Sequence, residues 1–317
     1  MVKSQIDAGD ERKLAKALKR QTVMLAEISE RVAKIEAGLA ELQTAVGKVF
    51  RKVRPLEPDL HAVLRTLRLD HEALPYPQRL MARRVRLASQ NEEDGITLAL
   101  FERIGAERRT FVEIGSGLSG GNSAVLASDL GWSGLMVDGD EGHIAQVARR
   151  FPSVTAVAAW VTRDNVNQLV EDAQCTGEID LLSIDLDGND YWIWEALTAC
   201  SPRLVIAEYN SIFGSERAVT VPYDPKFHEQ NHRFIYYGAS LAALTRLARR
   251  KGYRLITTEP TGVNAFFLRD DIEPSIPACA VQTAFRLFEK YDVLIQRKKV
   301  DIYQYVKDAG LSLVDVD

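Results

Sequence analysis

Acidic side chains follow two apolar segments of the chain, at the points where each segment ends. In LLSIDLDGNDYWIWEAL, residues 181–197, Asp185 and Asp187 come directly after apolar residues typical of a buried strand. In RLVIAEY, residues 203–209, Glu208 follows the next such segment in the same way. If these segments are the neighbouring fourth and fifth strands of a parallel sheet, Asp185 and Glu208 lie within a few ångströms of each other. Carboxylates so placed either bind a divalent cation through their oxygen atoms or raise one another's pKa, which makes one of them a base.

Histidines and aromatic residues occupy a long segment, residues 211–238, between the fifth predicted strand and the next helix. Loops longer than about 12–15 residues within a compact domain are often functional. The segment carries His228 and His232, and its tyrosines and arginines suit a polar, hydroxylated acceptor. We assign His232 as base or ligand, because it lies nearer than His228 to the helix that anchors the loop. The alternative for either histidine is a structural or merely exposed side chain.

These side chains need a scaffold, and from residue 96 onward short apolar segments alternate with amphipathic ones. The predicted strands are 110–115, 134–138, 154–160, 179–185, 203–209, 253–258 and 264–269. The predicted helices lie near 122–130, 141–150, 164–173, 190–199 and 239–251. This alternation predicts an α/β domain with a doubly wound, seven-stranded, mostly parallel sheet. Only EPTGV separates the last two strands, which is too short for a parallel crossover, so the last strand is expected to be antiparallel.

A glycine-rich loop follows the first predicted strand, at the carboxyl edge of the sheet where ligands of such folds bind. Gly115, Gly117 and Gly120 in VEIGSGLSGGNS have the spacing G-x-G-x-x-G of dinucleotide-binding loops. Glu113 stands two residues before Gly115, where dehydrogenases usually have an apolar residue. Asp138 ends the second predicted strand, 23 residues after Gly115, and is suitably placed to accept hydrogen bonds from a ribose diol. The loop therefore indicates a nucleoside ligand, with NAD(P) as one alternative.

Together these segments resemble the class I S-adenosylmethionine-dependent methyltransferases. VEIGSG is similar to their first motif and LMVDGDE to their second, and the resemblance covers about residues 85–271. A closer likeness is to FkbM-like and polysaccharide-cluster sugar O-methyltransferases, which have IDxxG followed by an acid where this chain has Ile184–Asp190. SQNEEDGI, residues 89–96, is similar to the segment that precedes the first strand in related polysaccharide-cluster proteins. The resemblance implies a Rossmann-like methyltransferase sheet and S-adenosylmethionine as the cofactor.

The resemblance also implies a set of cofactor-binding residues. These are Gln90, Asp94, Glu113, Gly115, Gly117 and Asp138. The two glycines would let the backbone approach the cofactor closely, where a Cβ atom would clash. Glu113 would orient the loop or the amine of the methionine moiety, and Asp138 would hold the ribose hydroxyls. Gln90 and Asp94 would close over the methionine end.

For the chemistry, the expected catalytic residues are Asp185, Asp187, Glu208 and His232. Transfer of a methyl group to a hydroxyl needs an in-line approach, exclusion of water and often a base. Some sugar O-methyltransferases of this fold use magnesium at the same strand ends. The resemblance thus implies Asp185 and Glu208 as ligands of Mg²⁺ or another divalent cation, with a metal-free site in which a carboxylate takes a proton as the alternative.

Two residues near predicted strand ends have structural interpretations. Asp190 is expected to cap the helix that begins with YWIWEAL, rather than to contact substrate. Trp160 is expected to lie in the core, and the alternative is that it stacks near adenine.

The N-terminal region, residues 11–50, repeats apolar residues at heptad spacing. The a positions are Leu18, Leu25, Val32, Leu39 and Val46, and the d positions are Leu14, Gln21, Ile28, Ile35, Leu42 and Val49. This period predicts a coiled coil, and leucine-rich a with isoleucine at d favours a homo-trimer or homo-tetramer over a dimer. The alternative is one amphipathic helix on the globular domain. Residues 51–84 are expected to be a linker with a short helix, 85–271 the methyltransferase domain and 272–317 a helical tail.

The composition excludes several classes of protein. The net charge of −4 argues against a generic nucleic-acid binder, and three widely spaced cysteines form no disulfide framework or metal pair. We expect no secretory signal and no transmembrane segment, hence a cytoplasmic protein, with peripheral membrane association through a partner left open.

The sequence therefore favours an S-adenosylmethionine-dependent O-methyltransferase acting on a sugar of a bacterial surface polysaccharide or glycoconjugate. One alternative is an NAD(P)-dependent oxidoreductase that uses the same glycine loop. The other is a non-catalytic scaffold on a coiled-coil stalk.

Overall fold

The computed structural model describes residues 73–228 and 235–317, together with Met24, Arg31, Val32 and Lys34 as isolated helical positions. The chain divides into two units, residues 1–58 and 59–317. Apart from the four isolated positions, the predicted coiled coil lies outside the described residues. It therefore stays a prediction.

A seven-stranded sheet forms the centre of the second unit. Its strands are β1 (Thr110–Ile114), β2 (Ser133–Asp138), β3 (Val154–Ala158), β4 (Gly177–Ile184), β5 (Cys200–Glu208), β7 (Tyr253–Thr258) and β8 (Asn264–Arg269). The strand order is β3-β2-β1-β4-β5-β8-β7. Strands β1 to β5 pair in parallel, and β8 pairs antiparallel with both β5 and β7. The predicted seven-stranded Rossmann-like sheet with an antiparallel last strand is confirmed.

Helices cover the sheet and connect its strands. They are α1 (Gln78–Ala82), α2 (Glu93–Ile104), α3 (Ala124–Asp129), α4 (Glu141–Arg150), α5 (Val166–Asp172), α6 (Asp190–Ala196) and α7 (Leu241–Arg250). Successive strand residues point to opposite faces, so Phe111 and Leu181 join one buried cluster whereas Val112 and Leu182 join another. Near-continuous apolar strands are therefore required, because both faces of the sheet are buried.

The segment after β8 is the one that the sequence predicts to be a helical tail. It contains three short helices, α8 (Val281–Ala284), α9 (Glu289–Lys298) and α10 (Ile302–Asp308), followed by β9 (Val314–Asp315). Strand β9 pairs antiparallel with β6 (Val219–Thr220), which lies in the long segment after β5. The tail is thus tied to that segment by backbone pairing, which no helical periodicity predicts.

The long segment and the tail share a hydrophobic cluster of their own. We call the two parts, residues 211–228 with 235–237 and residues 287–313, the cap. Phe213, Val219 and Phe227 from the first part pack in one cluster with Tyr291 and Ile302 from the second. This cluster is distinct from the two that cover the sheet, so the cap has its own core.

Among the helices of the described residues, none combines the length and the apolar character needed to span a membrane.

Candidate active site

A cavity of about 850 Å³ opens at the carboxyl edge of the sheet. Residues at or just beyond the ends of β1, β2, β3, β4 and β5 line it, and the cap contributes further wall. Parallel register brings these strand ends to one level, since Ile184 lies opposite both Ile114 and Ala207. The polar residues that follow the strands therefore meet in one space.

The glycine loop crosses the chain that leaves β4. Gly115 has a φ of +86°, and a Cβ atom on it would lie 1.6 Å from the backbone oxygen of Asp185. The backbone N–H of Asp185 donates to the carbonyl of Ile114 at 2.9 Å. By contrast, a Cβ atom on Gly117 would have no neighbour within 4 Å. Gly115 is therefore required by this crossing, whereas Gly117 borders open space in the cavity.

Asp138 connects β2 to the glycine loop. One carboxylate oxygen accepts a hydrogen bond from Gly117 N–H at 2.8 Å, and the other accepts from Asp140 N–H at 2.8 Å. The second oxygen also lies 3.1 Å from Nδ1 of His143, a cavity residue without a role in the sequence-based prediction. Asp138 thus lines the cavity at the position predicted for a ribose ligand.

Glu113 is fully buried and lies behind the loop. Its carboxylate accepts hydrogen bonds from the backbone N–H groups of Asn122 and Ser123 and from Ser123 Oγ, at 3.1, 2.9 and 2.5 Å. Burial raises its pKa to about 7, although these hydrogen bonds act in the opposite direction. Of the two roles considered for Glu113, this geometry fits orientation of the loop, since the residue does not line the cavity.

Gln90 and Asp94 have different environments. Gln90 lines the cavity. Asp94 is buried, and one carboxylate oxygen accepts from the backbone N–H groups of residues 87, 88 and 89 at 2.7, 2.7 and 2.9 Å. Asp94 is not among the residues that line the cavity, and its carboxylate holds the segment that leads to Gln90. Its contact with the cofactor stays a prediction.

The structure brings Asp185, Asp187 and Glu208 together. Each offers a carboxylate oxygen, and these three atoms lie within 4.8 Å of one another. Burial and the charge of Asp187 raise the pKa of Asp185 well above its usual range, and burial followed by the charge of Asp138 raises that of Asp187. Three carboxylates this close repel one another unless a cation or a proton is bound among them.

The donor set of this acidic cluster fits a divalent cation. Carboxylate oxygens are the ligands that Mg²⁺ and Ca²⁺ prefer, and Mg²⁺ usually keeps several waters beside one or two carboxylates. The tentative pair Asp185 and Glu208 thus gains Asp187 as a third candidate ligand.

Asp190 does not cap α6 as expected. It is the first residue of the helix, and Asn189 holds the N-cap position. The carboxylate of Asp190 accepts from Leu186 N–H at 2.8 Å and Gly188 N–H at 3.0 Å. Burial raises its pKa to about 6. Asp190 thus holds the turn that presents Asp187, in which Asp187 has a φ of +51°.

Trp160 does not lie in the core, and that expectation is wrong. Strand β3 ends at Ala158, so Trp160 projects beyond the sheet with 47% of its surface exposed, and it lines the cavity. Its ring packs against Gly139, where a Cβ atom would lie 2.9 Å from ring carbon Cε3, and Nε1 donates to the carbonyl of Pro225 at 2.6 Å. The ring of His228 is 4.9 Å away, centroid to centroid.

Of the two histidines predicted in the long segment, His228 lines the cavity. His232, the preferred base, lies outside the described residues. The sequence-based prediction also missed Phe288, Lys290 and Tyr291, which reach the cavity from the tail. No sequence signal indicated that the tail reaches this cavity.

Comparisons with known proteins were made at the level of sequence and of structure. No protein-family model and no curated protein matches the sequence. Among solved structures, the chain is similar to an O-methyltransferase from Bacillus cereus in complex with SAH (20% identity, 71% of this chain and 96% of that chain, TM-score 0.35). It is also similar to the methyltransferase domain of bacterial CtHen1-C (14% identity, 56% of this chain and 97% of that chain, TM-score 0.36). A third similar structure is the 1,6-didemethyltoxoflavin-N1-methyltransferase of Burkholderia thailandensis (12% identity, 55% of this chain and 76% of that chain, TM-score 0.37). At these low identities and TM-scores, the function of this chain has to be inferred from its own site.

Proposed function

We propose that the chain is an S-adenosylmethionine-dependent O-methyltransferase whose acceptor is a small hydroxylated molecule, a sugar of a bacterial surface polysaccharide or glycoconjugate. The observation that carries this proposal is the crossing of the glycine loop over Asp185. It sets the glycine loop and a cluster of three carboxylates side by side in one cavity. A methyl donor and a hydroxyl acceptor need this proximity, because the reacting atoms must come into line.

On the donor side, Gly117 leaves room for the cofactor and Asp138 presents a carboxylate to the ribose diol. Glu113 and Asp94 act behind them by fixing the loop and the segment that carries Gln90. S-adenosylmethionine supplies, when bound, a methyl group on a positively charged sulfur. The protein therefore has to position the reactants, exclude water and take up the hydroxyl proton.

On the acceptor side, the acidic cluster orients the hydroxyl and removes its proton. Asp185, Asp187 and Glu208 would hold a divalent cation, which would lower the pKa of the acceptor hydroxyl. Without a cation, burial and mutual repulsion raise the pKa of Asp185 and of Asp187, which suits one of them to accept the hydroxyl proton. His232 stays a proposed alternative base.

Cavity charge favours this function over the NAD(P)-dependent alternative. Asp138, Asp140, Asp185, Asp187 and Glu208 all line the cavity. A pyrophosphate would bring two further negative charges into this space, whereas S-adenosylmethionine carries a sulfonium and an ammonium against one carboxylate and is positive overall. The volume of about 850 Å³ also suits a small acceptor beside a nucleoside cofactor.

The decisive experiment is a thermal-shift comparison of S-adenosylhomocysteine, NAD and NADP, each with and without Mg²⁺ or Mn²⁺. We expect S-adenosylhomocysteine alone among the three to raise the unfolding temperature. A shift with NAD or NADP and none with millimolar S-adenosylhomocysteine would establish the oxidoreductase alternative instead.

We further propose that residues 11–50 form a homo-oligomeric coiled coil. Sedimentation of the full chain should give a trimer or tetramer. The double variant Leu25→Glu, Ile28→Glu should give a monomer, because charges replace two seam residues. An unchanged mass in the variant would contradict the coiled coil.

A further inference from the structure

The strand order divides the cavity into two sides. Gly115 and Trp160 follow β1 and β3, and Asp138 ends β2, all on one side of β4. Glu208 and Val263 lie on the other side, at the end of β5 and in the turn between β7 and β8. Neighbouring strands are about 4.8 Å apart, so β1 and β5 are about 10 Å apart across β4. If the first side holds the methyl donor, the second is left for the acceptor.

The tail is fixed on this second side. Phe288 N–H donates to Ser211 Oγ at 3.0 Å, three residues beyond Glu208. The hydroxyl of Tyr291 donates to that of Tyr237 at 3.1 Å, and both tyrosines are buried in the cavity wall. Burial raises the pKa of Tyr237, and the charge of Glu208 raises it further, so the hydroxyl of Tyr237 stays protonated. Lys290 thus lies between Phe288 and Tyr291, each of which is hydrogen-bonded to the long segment.

Lys290 brings a positive charge to this wall. It is the only lysine or arginine among the described residues that line the cavity. Its Nζ lies 5.3 Å from the ring centroid of Phe288, and the described part of the chain shows no carboxylate in an ion pair with it. Nearby Arg286 differs, because its guanidinium is occupied by the carbonyls of Thr283 and Phe285.

We propose that Lys290 binds an anionic substituent of the acceptor, a carboxylate or a phosphate, and so selects acidic over neutral sugars. The proposal rests on the proposed function for the identity of the acceptor. Lys290 is a point charge on a flexible stem, so it suits either anion without the bidentate geometry of arginine. The acidic residues of the cavity would repel such an acceptor, and Lys290 supplies an attractive charge on the wall, opposite to theirs in sign.

The test is calorimetric titration of the full chain with glucose, glucuronate and glucose 6-phosphate, without cofactor. At least one anionic sugar should bind about tenfold or more tightly than glucose, and the stronger of the two identifies the anion. Lys290→Met should abolish the preference and Lys290→Arg should retain most of it. Lys307→Met, which removes an exposed charge on α10 outside the cavity, should behave as wild type.

Parallel titrations with S-adenosylhomocysteine separate this proposal from the proposed function. Its affinity should be the same in all four proteins, since Lys290 is assigned to the acceptor. Equal binding of the three sugars by wild type would overturn the anion site, as would weaker S-adenosylhomocysteine binding in Lys290→Met, which would assign Lys290 to the cofactor's carboxylate. No binding of S-adenosylhomocysteine to wild type, together with Lys290-dependent binding of an acidic sugar, would refute only the proposed function.

Discussion

The carboxylate of Asp138 accepts a hydrogen bond from the backbone N–H of Gly117 at 2.8 Å, and so joins the end of β2 to the loop after β1. One side chain therefore shapes the loop and presents an oxygen to the same cavity. Two strands that are neighbours in the sheet are in this way coupled at the proposed donor site.

Asp138→Ala should weaken S-adenosylhomocysteine binding by about tenfold or more, because both the loop contact and the proposed ribose contact are lost. Calorimetric titration measures this. Asp129→Asn, at the exposed end of α3, is the matched control and should bind as wild type. Unchanged affinity in Asp138→Ala would remove Asp138 from the cofactor site.

Two alanine substitutions in the glycine loop should separate folding from binding. Gly115→Ala should lower the free energy of unfolding by more than about 3 kcal/mol, because its Cβ atom meets the backbone of Asp185. Gly117→Ala should cost only about 1–2 kcal/mol, for its positive φ, yet lose S-adenosylhomocysteine binding. Urea unfolding and titration measure the two effects. Equal stability losses in the two variants would contradict the crossing at Gly115.

Asp187→Asn should stabilise the protein at pH 8 in EDTA by about 1 kcal/mol, because it removes one of three mutually repelling carboxylates. Urea unfolding measures this, with exposed Asp164→Asn as the control. Added Mg²⁺ should stabilise wild type more than the variant if the cluster holds a cation. If Mg²⁺ has no effect on either protein, the cluster shares a proton. If Asp187→Asn is less stable than wild type in EDTA, the three carboxylates do not repel one another as proposed.

Glu113 should make stability fall as the pH rises. Its pKa is raised from 4.5 to about 7 in the folded protein, so between these values the unfolded chain loses the proton first. Its contribution is thus fully present below pH 4.5, decreases up to about pH 7 and is constant above. Compared with Glu113→Gln, wild type should lose about 3 kcal/mol more stability between pH 4.5 and 8. If the stability of the two proteins changes with pH in the same way, Glu113 does not have a raised pKa in the folded protein.

Much of the sheet could be predicted from the sequence, because each buried strand is a continuous apolar run. The bounds of β7 and β8 coincide with those predicted, and the acids after β4 and β5 meet as parallel neighbours must. Gly115, Gly117 and Asp138 line the cavity for the same reason, and their contacts with a cofactor stay a prediction. Their positions follow from the ends of the strands, and the local sequence is enough to predict where a strand ends.

Residues whose role depends on distant packing could not be predicted. The apolar character of Trp160 predicts a place in the core. Because β3 ends two residues earlier, Trp160 instead projects beyond the sheet and is exposed. Asp190 reads as a helix cap, although its carboxylate instead holds the preceding turn. Lys290 reaches the cavity only because β9 and Tyr291 dock the tail on the long segment, and no local pattern encodes that docking.

The separate core of the cap has an evolutionary consequence. Because the cap packs around its own cluster, its residues can diverge without repacking the two layers that support the glycine loop. Under the proposed function, acceptor preference and donor chemistry are then free to evolve as independent modules. Exchanging both parts of the cap together between homologues would transplant acceptor choice, whereas exchanging one part alone would break a shared interior.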